Sequence, residues 1–216
     1  MLLILWMGFA GSHVMLSSRP VRGVLVERLG QGLFRLFYSL LALAFFIPLV
    51  WTYFTNKHAG PWLWAVPRSA WALAAISTGM TIAFVLLAAG MARPSPASIS
   101  PGVATPRGVQ RITRHPVFMA FGLFGLVHLL ANGSTADLVF FGGFVVFALV
   151  GGWHQDRRLL AGGNPEVRAF LDATPFVPFT GGATVQGLKE LPPVAVAVGV
   201  ALAVFVRYFH ATWFAG

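Results

Sequence analysis

Six runs of apolar side chains, separated by basic and proline-rich connections, restrict what this chain can fold into more than any other feature. They cover residues 2–16, 33–54, 70–91, 116–131, 136–153 and 193–213. The second, third and sixth approach the roughly 20 residues that a helix needs to cross a bilayer. The first and fourth are shorter, as expected for helices that tilt little or sit in thinned lipid. Hydrocarbon offers no hydrogen bonds, so a run in it must satisfy its own backbone, and only a helix or a closed barrel does so. Runs of this hydropathy read as spanning helices, so the expected fold is all-α: a polytopic transmembrane helix bundle of about six helices, between five and seven.

Composition agrees. The 216 residues are 57% hydrophobic and only 10% charged, and no stretch reads as a detachable soluble domain. A single membrane domain over residues 1–216 is expected. Residues 2–16 lack a basic leading region and are followed by no polar mature domain, so they read as a retained helix instead of a cleaved leader. The chain has no cysteine. That excludes disulfides, iron–sulfur clusters, thiolate-ligated haem and covalently attached c-type haem.

Lys and Arg orient the helices. With alternating spans, one side holds Arg19, Arg22, Arg28, Arg35, Arg93, Arg107, Arg111, Arg114, Arg157, Arg158, Arg168 and Lys189, and the other only Lys57, Arg68 and Arg207. The positive-inside rule places the first side in the cytoplasm, with both termini across an inner membrane. The net charge of +9 then faces an anionic leaflet and calls for no nucleic acid. Three cytoplasmic segments carry the polar content: residues 17–32, 92–115 and 154–190. In the second, Pro94, Pro96, Pro101 and Pro106 oppose regular structure. The outer connection Asn132-Gly133-Ser134-Thr135 is short. Function is therefore expected on the cytoplasmic face.

Arg111-Ile112-Thr113-Arg114-His115-Pro116 stands directly before the fourth apolar run. Proline favours the first helical position and pushes its predecessor out of helical geometry, so His115 is presented at a helix entrance. There His115 and Arg114 suit a partner with a polar head and an apolar body. The other histidines are His13, His58, His128, His154 and His210. At about 1.5 Å per residue, the thirteen residues from His115 to His128 span roughly 20 Å, which bars the two from sharing one metal ion. Alternating topology puts His13 and His115 on one face, and Gly8, Ala10, Gly11 and Ser12 allow close approach beside His13. A haem b held by His13 and His115 fits this sorting, with Phe and Leu walling its pocket. Plainer readings stand beside it: His13 as a packing histidine, Arg111, Arg114 and His115 as a basic entrance facing headgroups, and His128 and His210 as interfacial residues.

Several short motifs, in order along nearly the whole length, resemble the NnrU family of membrane proteins, which is related to zeta-carotene isomerases. They are Gly11-Ser12-His13, Arg28-Leu29-Gly30 followed by Phe34-Arg35 and Tyr38-Ser39, Arg114-His115-Pro116, His128 to Gly133, Asp156-Arg157-Arg158, and His210 with Trp213-Phe214. A Glu common in the family's first loop is Gln31 here. The resemblance implies a multi-pass protein. Bacterial members are named for a link to nitrite and nitric oxide reduction, and the isomerase relatives bind haem b through histidines and isomerise a cis double bond of a carotene. Carried over, the ligating positions are His13 and His115, with His128 a further family position; the partners are the bilayer and an apolar polyene or lipid-like substrate. A non-enzymatic role in haem handling or reductase assembly is an alternative. Arg114-His115-Pro116, with Asp156-Arg157-Arg158-Leu159-Leu160 and Pro175-Phe176-Val177-Pro178-Phe179, is also similar to the membrane methyltransferases of isoprenylcysteine and phospholipids, which implies S-adenosylmethionine as an alternative cosubstrate. That family's Tyr after His-Pro is absent, since Val117 and Phe118 follow Pro116.

Overall fold

The computed structural model describes residues 1–67, 69–94 and 105–214. Arg68, Pro96 and Pro101 lie outside the described residues. The described chain is helical: α1 Leu2–Ser17, α2 Arg19–Thr55, α3 Ala70–Ala92, α4 Val109–Ile112, α5 Pro116–Ala131, α6 Thr135–Leu160, α7 Pro165–Ala173, α8 Thr184–Lys189 and α9 Pro193–Phe214. Among the described residues, four helices are long and apolar enough to cross a membrane, namely α2, α3, α6 and α9; α1 and α5 are shorter apolar helices of 16 residues each. The apolar stretch of α2 is only 11% buried within the protein and that of α9 only 17%. Helices this apolar with so little internal cover find their solvent in lipid. The fold is a multi-pass, all-α membrane helix bundle.

Residues 17–32, expected as a connection, are mostly helical. Pro20 sits in the first turn of α2, where its missing N–H costs nothing, and the helix breaks only at Gly30, with φ 73° and ψ 161°. That backbone is open to glycine and penalised for other residues, so Gly30 marks the bend between the basic segment and the apolar span. The expected polar segments are also more ordered. α4 interrupts residues 92–115, and α6 runs on past Trp153 to Leu160, taking His154, Asp156, Arg157 and Arg158 into the helix. Asn164 caps α7 by accepting the N–H of Glu166, with Pro165 at its first position.

Two compact units emerge: Met1–Ala65 with Asn132–Gly143, and Val66–Ala131 with Phe144–Gly216. In the first, α1 and α2 run antiparallel: Gly8 lies on the ring of Phe45, Phe9 meets Phe46 at 5.3 Å between centroids, and His13 meets Tyr38 at 4.9 Å. In the second, α3 packs against α5 and α9. A Cβ at Gly199 would come within 2.6 Å of the Val85 Cα, so only glycine lets α9 approach the α3 backbone this closely. Leu86, Ala89, Val109, Ile112, Ala120 and Ala195 form the core of this unit.

Candidate functional site

Pro116 begins α5, and the carbonyl of His115 accepts the Met119 N–H at 2.9 Å, so His115 is the residue at the helix entrance. The stretch before it is tied to a distant loop through the main chain. Arg114 N–H donates to Pro175 O at 2.9 Å, and Phe179 N–H to Ile112 O at 3.1 Å. Thr113 Oγ1 donates to Phe176 O at 2.7 Å and accepts the His115 N–H at 3.2 Å.

This scaffold converges three charged or titratable side chains. Asp156, on the part of α6 beyond Trp153, accepts from His115 Nε2 through Oδ1 at 2.8 Å and from Arg114 Nε through Oδ2 at 2.9 Å. Arg114 Nη1 donates further to Thr174 O at 2.6 Å and Leu171 O at 3.0 Å, and its guanidinium lies 5.4 Å from the Phe176 ring. The His115 side chain is only 1% exposed and that of Asp156 10%. Gly152, one turn before Asp156, leaves room: a Cβ there would stand 3.2 Å from His115 Cδ2 and 3.1 Å from the Phe176 ring. Both carboxylate oxygens are occupied, so the cluster is a closed, buried ion-pair network. Its chemistry is to hold the 112–115 and 170–179 segments together.

The remaining candidate histidines sit on apolar helix faces. His13 Nδ1 donates to Phe9 O at 2.9 Å, and His128 Nδ1 to Phe124 O at 2.8 Å. A carbonyl only accepts, so in each neutral imidazole Nδ1 carries the proton and Nε2 the lone pair. A backbone-bonded Nδ1–H with a basic Nε2 is the arrangement of a metal-ligating histidine. His115 differs: an ion at its Nε2 would have to displace Asp156. By donor chemistry, then, His13 and His128 fit haem iron and His115 fits less well. His13 belongs to the first unit and His115 to the second. His128 lies beside His210, with ring centroids 6.4 Å apart. Among the described residues no group of three or more His, Asp or Glu is arranged to hold a metal ion.

A second polar network escaped the sequence reading. Asp137, fully buried, accepts from Tyr53 Oη at 2.8 Å, from His58 Nδ1 at 3.0 Å and from the Ser134 N–H at 3.0 Å. The Asp137 N–H donates back to Ser134 Oγ at 3.2 Å. Ser134 and Asp137 thus make a reciprocal cap on α6, a signal legible in Ser134-Thr135-Ala136-Asp137. No sequence signal announced Tyr53 or His58. His58 takes a left-handed backbone, φ 57°, to reach the carboxylate, and it stacks on Trp62 with centroids 5.7 Å apart.

The fold and its buried charges define a multi-pass helical membrane protein with an ordered polar segment. More particularly, the NnrU protein family model matches residues 1–215, and the chain belongs to that family. It is similar to the chloroplastic 15-cis-zeta-carotene isomerase of Arabidopsis thaliana, with 25% identity over 199 residues, covering 88% of this chain and 52% of that protein. The corresponding isomerase of Zea mays is 32% identical over 85 residues, covering 39% of this chain and 23% of that protein. The chain thus spans about half the length of the Arabidopsis relative. No solved structure matches it.

Proposed function

We propose that this protein binds haem b in the membrane and acts on an apolar polyene, as a cis–trans isomerase-like enzyme, from the cytoplasmic side of the inner membrane. The observation carrying the reading is the shared tautomer of His13 and His128. Each holds its Nδ1 proton on the carbonyl four residues back and leaves Nε2 basic. The similarity to 15-cis-zeta-carotene isomerases supports the substrate class. The cytoplasmic assignment rests on the distribution of Lys and Arg.

His13 and His128 are each taken singly as a candidate imidazole ligand, with Phe9 and Tyr38 packing against the ring of the first and Phe124 against that of the second. Bound haem would supply an iron able to act as a Lewis acid or one-electron partner toward a conjugated double bond. The protein's own part is to set the imidazole tautomers and to offer apolar walls that exclude water. Arg114, His115 and Asp156 anchor the polar segments beside the entrance of α5, and His115 would offer its Nε2 to a metal only by giving up Asp156.

An absorption spectrum of detergent-purified protein tests the reading: a Soret band at near-stoichiometric haem is expected. Saturable S-adenosylmethionine binding by calorimetry, from protein that takes up no haem when reconstituted, would overturn it and favour methyl transfer.

A further inference from the structure

The second unit holds a half-open apolar pocket of about 230 Å³. Its walls come from the inner half of α3 (Ile82, Val85, Leu86), from α4 (Val109, Ile112) and from Phe179, Leu188 and Leu191. Thr81 also lines it, but its hydroxyl is turned back onto Ser77 O at 2.8 Å. The lining therefore offers almost no hydrogen-bonding group. Phe179 is held there at φ 67°, a left-handed backbone that a bulky residue adopts only when its surroundings impose it. Its N–H is secured on Ile112 O, so the ring is set against the pocket by the main chain.

The elements that supply the inner wall are also the cationic ones. α4 carries Arg111 and follows Arg107, and α8 ends in Lys189. Of these, Arg111 pairs with Glu190 at 3.0 Å, and Glu190 also accepts the Gly108 N–H at 2.8 Å. Arg107 and Lys189 are exposed and stand next in the chain to Gly108 and Glu190, so the segments that supply the wall carry three cations against one carboxylate. An apolar slot walled by segments of net positive charge, in a chain that spans a bilayer, matches an amphiphile with a hydrocarbon tail and an anionic head.

We propose that this pocket holds one acyl chain of an anionic bilayer phospholipid, with its headgroup at the Arg107, Arg111 and Lys189 rim. The site is separate from the histidines assigned to haem and does not depend on them.

The test uses full-length protein in vesicles of phosphatidylethanolamine doped with a diazirine-chain phosphatidylglycerol or with the same chain on phosphatidylcholine. Cross-linked peptides are mapped by mass spectrometry. Labelling by the phosphatidylglycerol probe should concentrate on 81–86 and 188–191, and exceed the phosphatidylcholine probe by roughly five-fold for each rim cation engaged. Leu188→Trp, which fills the slot from its exposed side, should abolish that labelling. Arg107→Gln with Lys189→Gln should cut the headgroup preference to at most the roughly five-fold that Arg111 alone can give and keep the chain labelling. Labelling spread evenly over all lipid-facing helices, or equal labelling by both probes in the unaltered protein, would overturn the proposal. So would unchanged labelling in a Leu188→Trp variant that melts like the parent.

Discussion

His115 and Asp156, 41 residues apart in the chain, meet through a 2.8 Å hydrogen bond in which the imidazole Nε2 donates to a carboxylate already paired with Arg114. The contact turns the arginine–histidine pair before Pro116 from a surface feature into the centre of a buried network. It also uses the ring nitrogen that a metal would most readily take.

Stability should follow from that closure. Removing one partner strands a buried charge, so Asp156→Ala and Arg114→Ala should each destabilise by about 3–5 kcal/mol. His115→Ala in an Asp156→Ala background should add little, because the two act as one unit. Thermal melting in detergent reads all three; additive losses would mean that the residues act independently.

The haem reading separates the histidines. His13→Ala and His128→Ala each test one candidate ligand, and the variant that loses a true ligand should carry less haem per protein and show a shifted Soret band. His115→Ala should cost stability while leaving the spectrum of the folded fraction in place. A spectrum lost in His115→Ala and retained in His128→Ala would restore His115 as ligand and reverse the tautomer argument.

Acid should loosen the contact between α4 and α8. The Gly108 N–H first, and then Arg111 and Gln186, hold the Glu190 carboxyl below its ordinary 4.5. The unfolded chain then binds more protons than the folded one in the interval between the two values, so stability rises with pH there. The contribution is complete above 4.5 and disappears as pH falls through the lowered value. Glu190→Gln should therefore melt below the parent at neutral pH and approach it as the pH falls through that lowered value. A gap of constant size across that range would show that ionisation of Glu190 contributes nothing.

The chain has no cysteine, which makes labelling clean. A membrane-impermeant maleimide applied to intact cells should modify Ala59→Cys, exposed in the connection between α2 and α3, and spare Thr180→Cys until lysis. The reverse pattern would invert the orientation and place the polar segments outside the cytoplasm.

Length and hydropathy were enough to read the membrane class, because burying a continuous apolar run in lipid depends on that run alone. Pro116 likewise announced the start of α5, since a pyrrolidine ring acts on its own turn and on the residue before it. The helical character of residues 19–29 was missed: arginines and a glycine made them look like a connection, and the break came only at Gly30. Asp156 was seen as a motif residue, but nothing along the chain says that both its oxygens are taken by Arg114 and His115. The same holds for Tyr53, His58 and Asp137, brought together from a helix end, a loop and a helix start. The apolar runs and the local start signals are thus properties of neighbouring residues, and the sequence determined them by itself. Which donor meets which carboxylate, and so which imidazole nitrogen remains basic, depends on partners tens of residues away; only the tertiary structure decided it.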